Sequence, residues 1–456
     1  MSNLSYLSKL LERVVASRLN NHMNAHQIHE PLQSAYKPGH STETALLQVQ
    51  NDIFNNMDNQ AVTILVLLDL SAAFDTIDHE VLLHRMESLV GVCGPALEWF
   101  RSYLTGRTQT VHIEGVASLL VILLLLGVPQ GSVLGPLLFL IYILPLGSII
   151  RMYGYELHIY ADDTQIYFSI KPCSVAQEIP RLEECLRDIH QWMSANFLKL
   201  NSDKTEVILL GTRQQLVKYN IGSLSVAGVQ VSLQQAPVRN LGVMFDPVMS
   251  MKAQVSSIVK STIFHIRNVA HIRRYLTLDS AKKLVNSLIT SRLDYCNSLL
   301  AGVAGGQLDR LQCVQNSSAR VVLQLPKFSS PSLDSLHWLP IRYRIQFKTA
   351  VIVYKSLRDL GPSYLRDLLT LYHPNRTLRS VEDCWKLAVP RAKLPTAGDR
   401  AFQVNGPTTW NKIPLHIRAS DDLNSFKKAL KTFYYKQAFN SFNVKRPRAI
   451  WEGSAI

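Results

Sequence analysis

The stretch that decides the fold is LHIYADDTQIYF, residues 157–168. Two short apolar runs, rich in Ile, Tyr and Phe, flank the turn Ala161-Asp162-Asp163-Thr164, and this pattern predicts a β-hairpin. Adjacent carboxylates at a hairpin tip repel each other unless a cation lies near them, and Mg²⁺ or Mn²⁺ suits oxygen ligands of this kind. An ordinary polar turn is the alternative, because Asp is a favoured turn residue.

A further carboxylate, Asp69, follows the continuous apolar run AVTILVLL at residues 61–68. Such a run predicts a strand buried on both faces that delivers Asp69 at its end, and Asp78 is a candidate cap for the helix that follows. If this strand neighbours the hairpin in one sheet, Asp69, Asp162 and Asp163 form a cluster able to hold two divalent ions. Pairs of such ions activate an attacking hydroxyl and stabilise a leaving phosphate group.

Three segments carry a resemblance to a known family: LDLSAAFD at residues 68–75, GVPQGSVLGP at 127–136 and YADD at 160–163. They resemble motifs A, B and C of reverse transcriptases. Their order and surroundings are similar to the enzymes of non-LTR (LINE-type) retrotransposons, near the jockey-like groups, over nearly the whole chain. The resemblance implies an RNA-directed DNA polymerase that extends a DNA primer on an RNA template with dNTPs.

The resemblance also implies the fold, an α+β right-hand polymerase whose palm has a ferredoxin-like sheet. We expect partial fingers over residues 1–60, a palm with the remaining fingers elements over 61–238, and a primer-grip hairpin with a helical thumb over 239–325. A basic C-terminal domain over 326–440 and a tail over 441–456 complete the expected order. Relatives have more fingers sequence and an endonuclease domain upstream, so we expect an N-terminally truncated copy.

The resemblance assigns metal binding and acid catalysis to single residues. Asp69, Asp162 and Asp163 are implied as the ligands of two Mg²⁺ ions, with Mn²⁺ as a substitute. Residues 198–209 resemble motif D, in which Lys204 acts as a general acid near the pyrophosphate. Without the resemblance, Lys204 is interpreted as an exposed turn lysine.

The resemblance further implies contacts to nucleotide, template and primer. Nucleotide and template contacts are implied for Lys37, His40, Leu70, Phe74, Gln130 and Gly131. Phe74 matches an aromatic residue that packs under the sugar and rejects a 2′-hydroxyl, although a core Phe is the simpler interpretation. Gln130 matches a residue placed against the nucleotide and template, whereas Pro-Gln-Gly alone indicates only a turn. A primer grip is implied at Arg239, Asn240, Leu241 and Gly242.

The charge of the chain is unevenly distributed. The 456 residues carry a net charge of +14, yet residues 1–238 hold 15 Lys and Arg against 21 Asp and Glu. Residues 239–320 hold 11 against 4, and residues 321–456 hold 22 against 9. A basic second half favours a polyanionic partner that is held through its phosphates. For any single cation, a solvated helix face is the simpler interpretation.

Location is indicated by cysteine usage and by the absence of targeting signals. The six cysteines form no Cys-x-x-Cys pair, so neither a disulfide framework nor a zinc site is predicted. No secretory signal pattern opens the sequence, and we expect an intracellular protein of nucleus and cytoplasm. Residues 115–150 contain no charged side chain and imitate a membrane span. Gly and Pro interrupt them, however, and a buried strand, a turn and a buried helix are predicted instead, with no membrane partner.

Helical spacing of apolar residues predicts several helices. The first has Leu4, Leu7, Leu11, Val14, Val15 and Leu19 on one face, and Ser41 is a candidate N-cap of the second. Residues 175–197 are predicted to bury Leu182, Cys185, Leu186, Ile189, Trp192 and Phe197. Beyond Met251 the pattern predicts a helical thumb whose cations contact phosphates without reading sequence: Lys252, Lys260, Arg267, Arg273, Arg274, Lys282, Lys283 and Arg292. The aromatic residues of the tail either stack on bases or pack in a core: Trp338, Tyr343, Tyr354, Trp385 and Trp410.

Two alternatives to an active polymerase stay open at this point. A degenerate copy of the same fold would bind nucleic acid without catalysis, and a polymerase assay separates it from an enzyme. A membrane-associated protein anchored by residues 115–150 would pellet with membranes.

Overall fold

The computed structural model describes residues 4–71, 74–110, 112–113, 116–117, 122–123, 126–129, 131–330, 333–373 and 385–439. The chain divides into two compact units. Unit 1 comprises Met1–Ala45, Asn59–Leu241 and Pro247–Met249, and unit 2 comprises Leu46–Asp58, Gly242–Asp246 and Ser250–Ile456. The finer division into fingers, palm, thumb and C-terminal domain stays a prediction.

Helices are found in both units. In chain order they are α1 Tyr6–Ala25, α2 Thr42–Asp58, α3 His79–Ser88, α4 Gly94–Leu104, α5 Gly135–Tyr142, α6 Leu146–Met152, α7 Val175–Ala195, α8 Arg213–Leu216, α9 Lys252–Ile272, α10 Leu278–Val285, α11 Ser291–Asp294, α12 Gly305–Leu323, α13 Ile341–Leu357, α14 Ser363–Arg366, α15 Phe402–Asn411, α16 Leu415–Arg418 and α17 Leu423–Phe439.

Strands are concentrated in unit 1. In chain order they are β1 Val62–Leu68, β2 Leu70–Ser71, β3 Thr108–Gln109, β4 His112–Ile113, β5 Val116–Ala117, β6 Ile122–Leu123, β7 Glu156–Tyr160, β8 Asp163–Ile170, β9 Lys199–Leu200, β10 Glu206–Leu210, β11 Ser223–Val226, β12 Val229–Gln234, β13 Val238–Asn240 and β14 Val243–Phe245.

Unit 1 is built on a six-stranded sheet in the order β11-β12-β10-β1-β8-β7. Within it, β10 pairs with β1, β1 with β8 and β8 with β7, all antiparallel, whereas β12 pairs parallel to β10. Helices α3 to α6 lie between β1 and β7 in the chain, and α7 lies between β8 and β10. This order of strands and helices is the ferredoxin-like β-α-β-β-α-β arrangement, which confirms the predicted palm sheet.

Strand β1 lies in the middle of this sheet because its sequence suits burial on both faces. Val62, Ile64 and Val66 on one face are fully buried, and Leu65 on the other face is buried as well. The strand pairs with β8 on one side and β10 on the other. The sequence prediction of a buried strand that ends at Asp69 is therefore confirmed.

Two predicted helix starts are also confirmed. The Asp78 side chain accepts a hydrogen bond from the backbone N–H of Val81 at 2.9 Å and so caps α3. The Ser41 hydroxyl accepts a hydrogen bond from the backbone N–H of Thr44 at 3.2 Å, at the start of α2.

Residues 135–152 form two core helices of unit 1. Within the described residues one stretch, Gly135–Met152, has the length and composition of a membrane span, and 61% of it is buried inside the structure. It consists of α5 and α6, in which Leu138, Phe139 and Ile150 are fully buried. Packing in the core of unit 1 accounts for its apolar character.

The predicted apolar face of α1 is wrong in its first half. Leu7, Leu11 and Val14 are 72%, 59% and 50% exposed, whereas Glu12 is buried. The Glu12 carboxylate accepts hydrogen bonds from the backbone N–H groups of Val133 and Leu134, at the start of α5. A helix start attracts an anion, so the polar side chain rather than the apolar row faces the unit.

The buried face of α7 agrees with the prediction except at its end. Leu182, Cys185, Leu186 and Ile189 are buried. Phe197, predicted on the same face, is 54% exposed, because the helix ends at Ala195 and Phe197 has a positive φ of 56°. The backbone therefore leaves the helical path before Phe197 can reach the core.

Unit 2 is helical and has its own aromatic core. Helix α9 packs on α12, and α13 packs on α15 and α17. Tyr354 and Phe426 stack with ring centroids 4.2 Å apart, and Trp410 lies against Phe426. Tyr354 and Trp410 are thus core residues, as one of the two interpretations of the tail aromatics predicted.

Candidate active site

The register between β1 and β8 brings two of the predicted carboxylates to one edge of the sheet. Leu68 pairs with Thr164 across the antiparallel ladder. The next residue on each strand is Asp69 and Asp163, so these two follow from the ladder as neighbours. The hairpin of β7 and β8 closes between Tyr160 and Asp163, which places Asp162 at the same edge.

Burial and neighbouring charges raise the pKa values of both hairpin carboxylates. Burial and the charges of Asp162 and Asp69 raise the pKa of Asp163 to about 6. Burial and the charge of Asp69 likewise raise the pKa of Asp162, although Lys204 acts in the opposite direction. A cation near the two hairpin carboxylates would favour their charged forms.

Asp69 provides an observation that fits a divalent ion. Its Oδ2 atom is buried and receives no hydrogen bond from the described residues. The Nζ atom of Lys204 lies 3.4 Å from it. In the described part of the chain, no three His, Cys, Asp or Glu side chains are gathered closely enough to enclose a metal. Hard oxygen donors nevertheless fit Mg²⁺, which keeps several waters and takes only one or two carboxylates from the protein.

Motif D is held against motif A by backbone pairing. Leu70 pairs with Leu200, and the backbone N–H of Asn201 donates to the carbonyl oxygen of Asp69 at 2.9 Å. The turn that follows carries Lys204, whose side chain is 68% exposed. The pairing of β2 with β9 is therefore what brings Lys204 to Asp69.

The start of motif B is fixed to motif A in the same way. The N–H of Gly127 donates to the carbonyl oxygen of Ile77 at 2.7 Å, and the N–H of Val128 donates to that of Phe74 at 3.0 Å. Gly127 has a φ of +84°, and a Cβ there would lie 3.0 Å from backbone atoms of Asp75. Only glycine fits at this crossing of the two motifs.

Four residues of motifs A and B are predicted to contact the nucleotide or template, and three of them lie in the described part of the chain. Phe74 is half-buried and packs on Phe139 with ring centroids 4.7 Å apart. The Leu70 side chain is buried and belongs to the core of unit 1. Gly131 is exposed and has a φ of 87°. Gln130 lies outside the described residues.

The side chains of Lys37 and His40, which are predicted to belong to the fingers, are half-buried. The Lys37 ammonium donates to the carbonyl oxygen of Glu30 at 2.7 Å, and burial lowers its pKa to about 8. His40 lies within hydrogen-bonding distance of the carbonyl oxygen of Pro38, and burial lowers its pKa. Neither side chain extends freely into solvent.

The residues of the predicted primer grip are assigned to different units, Arg239, Asn240 and Leu241 to unit 1 and Gly242 to unit 2. Arg239 is exposed, whereas Asn240 is buried and donates from its side chain to that of Gln165 at 2.7 Å. Leu241 and Gly242 join β13 to β14, with φ angles of 43° and 82°. Of these residues, Arg239 has the side chain best able to meet a phosphate.

The sequence interpretation missed Gln33 and Tyr36. The side chain of Gln33 is bonded to the turn that carries Asp162. Tyr36 has a positive φ of 58° and is 56% exposed. Burial and, to a smaller extent, the charge of nearby Asp162 raise the pKa of the Tyr36 hydroxyl. A strained, exposed aromatic residue often marks a functional site, but no spacing in the sequence reveals the strain.

A family model described as reverse transcriptase (RNA-dependent DNA polymerase) matches residues 1–245, more than half of the chain. The chain belongs to the reverse transcriptase family. Its α+β fold is accordingly that of a right-hand polymerase, as predicted.

Several individual relatives are enzymes of mobile elements. The probable RNA-directed DNA polymerase from transposon BS of Drosophila melanogaster is 26% identical over 72% of this chain and 36% of its own length. The enzyme from mobile element jockey of the same fly is 24% identical over 71% and 35%. The one from transposon X-element is 23% identical over 83% and 43%. The predicted resemblance to jockey-like LINE elements is confirmed, and the chain spans well under half the length of these relatives.

Solved structures give a weaker likeness. Apo telomerase from Candida tropicalis has a TM-score of 0.39 at 10% identity, over 76% of this chain and 59% of that one. Telomerase from Candida albicans with a fragment of telomeric RNA has a TM-score of 0.38 at 11% identity, over 74% and 57%.

Proposed function

We propose that this chain is an RNA-directed DNA polymerase that extends a primer 3′-hydroxyl with dNTPs on an RNA template. The observation that carries the proposal is the strand register, which brings the backbone of Asp69 and Asp163 to the end of a ferredoxin-like sheet where the hairpin with Asp162 closes. Family membership and relatives named as RNA-directed DNA polymerases support it.

We assign the binding of Mg²⁺, with Mn²⁺ as a substitute, to Asp69, Asp162 and Asp163. When bound, such ions activate the attacking hydroxyl and stabilise the charge that develops on the leaving pyrophosphate. The buried Oδ2 atom of Asp69, which accepts no hydrogen bond from the described residues, and the raised pKa values of the two hairpin carboxylates support this assignment.

Lys204 is proposed to hold a proton near the departing pyrophosphate. Its ammonium lies beside Asp69 and is still largely exposed, so it can pair with the carboxylate or turn towards a phosphate. As a strongly hydrated point charge with three donors, a lysine suits a site where negative charge appears during the reaction.

The remaining implied contacts complete the proposal. Phe74 and Gly131 would meet the incoming nucleotide, and Arg239 would meet the primer backbone. Nucleic acid is proposed to lie against unit 2, whose exposed cations on α9 include Lys252, Lys260 and Arg267. Arg273, predicted among these cations, is buried and donates to the carbonyl oxygens of Val321 and Val322. The expected nuclear and cytoplasmic location stays a prediction.

The full chain is expected to extend a DNA primer annealed to RNA when dNTPs and Mg²⁺ are supplied, because the divalent ions activate the primer hydroxyl and stabilise the leaving pyrophosphate. Gel analysis of a labelled primer measures the products. Chelation with EDTA is the control that should remove them. A protein that binds primed RNA but never lengthens the primer would instead be the degenerate copy of the fold.

Phe74→Val is expected to relax sugar selectivity. A smaller side chain leaves room for a 2′-hydroxyl, and shape discrimination of this kind amounts to roughly 10- to 100-fold. The ratio of kcat/KM for dNTP over rNTP should fall by that factor in single-nucleotide extension. Phe139→Leu changes the neighbouring core ring and should lower stability with the ratio intact. If the ratio is unchanged in Phe74→Val, the Phe74 ring is only a core residue.

A further inference from the structure

The tip of the catalytic hairpin contains a strained residue. Ala161, directly before Asp162, has a φ of 58° and is buried. The left-handed conformation is unfavourable for a residue with a Cβ by about 1–2 kcal/mol. Such a conformation persists only when the surrounding structure holds it.

The side-chain amide of Gln33 provides that hold. Its Oε1 atom accepts a hydrogen bond from the N–H of Ala161 at 3.0 Å, and its Nε2 atom donates to the carbonyl oxygen of Ala161 at 3.2 Å. Both backbone polar groups of the strained residue are thereby satisfied within the buried turn. Oε1 also accepts from the N–H of Ala35 at 2.9 Å, which fixes which end of the amide is the oxygen.

The segment that carries Gln33 is itself fixed to the hairpin. The N–H of Ser34 donates to the carbonyl oxygen of Ile159, and the N–H of Ile159 donates to that of Leu32, both at 2.9 Å. These bonds form an isolated parallel bridge along β7. The backbone of Gln33 is therefore held against β7, and its side chain contacts the tip of the β7–β8 hairpin from outside motif C.

Direct contact of Gln33 with a substrate is not compatible with this geometry. The residue is only 3% exposed, and both ends of its amide are already bonded to backbone groups. Its influence on the reaction must pass through Ala161 to the residue that follows.

We propose that Gln33 is a positioning residue that holds Ala161 in the left-handed conformation and so directs the Asp162 carboxylate. The inference rests on the proposed polymerase activity. Displacing the Asp162 carboxylate by about 1 Å is expected to lower the reaction rate on the order of 10²-fold, because reacting groups must be closely aligned. The ground-state binding of the nucleotide does not depend on that alignment.

The experiment compares Gln33→Met with the unmodified full chain in primer extension on RNA. Met keeps the length of the side chain and removes all three hydrogen bonds. We expect kcat to fall about 10²-fold, with KM for dNTP within about twofold of the unmodified value. Gln50→Met is the matched control, because Gln50 is equally buried but bonds to the carbonyl oxygen of Leu299 in unit 2. That variant should lose thermal stability and keep its kcat.

Gln33→Asn serves if Gln33→Met does not fold, because Asn retains the amide but is too short to span both groups of Ala161. An unchanged kcat in the variant, or a kcat that falls only in proportion to the folded fraction, would overturn the positioning role of Gln33. In that case, extension by the unmodified chain would still support the polymerase proposal. Absence of extension by the unmodified chain would overturn both.

Discussion

Asp162→Asn is expected to lower primer extension on the order of 10³-fold, about 4 kcal/mol of activation free energy. Asn keeps the shape of the side chain and removes the charge that a divalent ion needs. Burial and the neighbouring Asp69 already disfavour a lone negative charge at this position, so the folded hairpin tolerates the neutral residue. Binding of primed RNA should stay within about threefold of the unmodified chain, since phosphate contacts supply most of the affinity.

Two readouts separate a metal-binding role of Asp162 from a structural one. Mg²⁺ should raise the Tm of the unmodified chain by mass action and raise that of Asp162→Asn much less. Asp188→Asn is the control, because Asp188 lies on α7 and accepts a hydrogen bond from the hydroxyl of Tyr153 at the end of α6, not from a residue of the carboxylate site. Loss of nucleic-acid binding in step with activity in Asp162→Asn would contradict the metal-binding role and indicate misfolding.

The affinity of the full chain for a primed duplex is expected to fall steeply with salt. If about six phosphates are neutralised, log K falls against log salt with a slope near −5, roughly 10³-fold between 50 and 200 mM. The reason is the charge of the second half, where residues 239–456 hold 33 Lys and Arg against 13 Asp and Glu. Fluorescence anisotropy of a labelled duplex measures the slope.

Matched charge reversals test which residues bind the duplex. Replacing Lys252, Lys260 and Arg267 with Glu should flatten the slope, since all three are exposed on α9 of unit 2. The control replaces Lys171, Arg213 and Lys218, which are exposed cations of unit 1. Equal losses of affinity in the two triple variants would place the phosphate contacts on both units. That result would refute the expectation that the basic half supplies most of the binding.

Sequence patterns predicted the elements that carry the carboxylates. The run before Asp69 has no charged residue and is apolar apart from Thr63, and it suits a strand buried on both faces, as β1 is. The two short apolar runs on either side of the Ala-Asp-Asp-Thr turn likewise predicted the hairpin. These signals are local, so each element could be predicted from its own segment of sequence.

The parts that sequence did not predict depend on contacts between distant segments. Gln33 lies 128 residues before Ala161 in the chain, and nothing around it marks it as a buried amide. Helix α1 shows the same limit, because the spacing of its apolar residues could not reveal that Glu12 would face the start of α5. Periodicity identifies a helix, but the partner decides which face is buried.

The central position of β1 has a consequence for biogenesis. Its ladder partners β8 and β10 are made only after residue 162, so a ribosome must add more than ninety residues before either edge of β1 can pair. Until then a seven-residue apolar segment without a charge or proline is open to pairing with other chains. Slow, non-local pairing of this kind leaves a nascent chain dependent on chaperones during synthesis, and it makes overproduction at high concentration a direct route to aggregates.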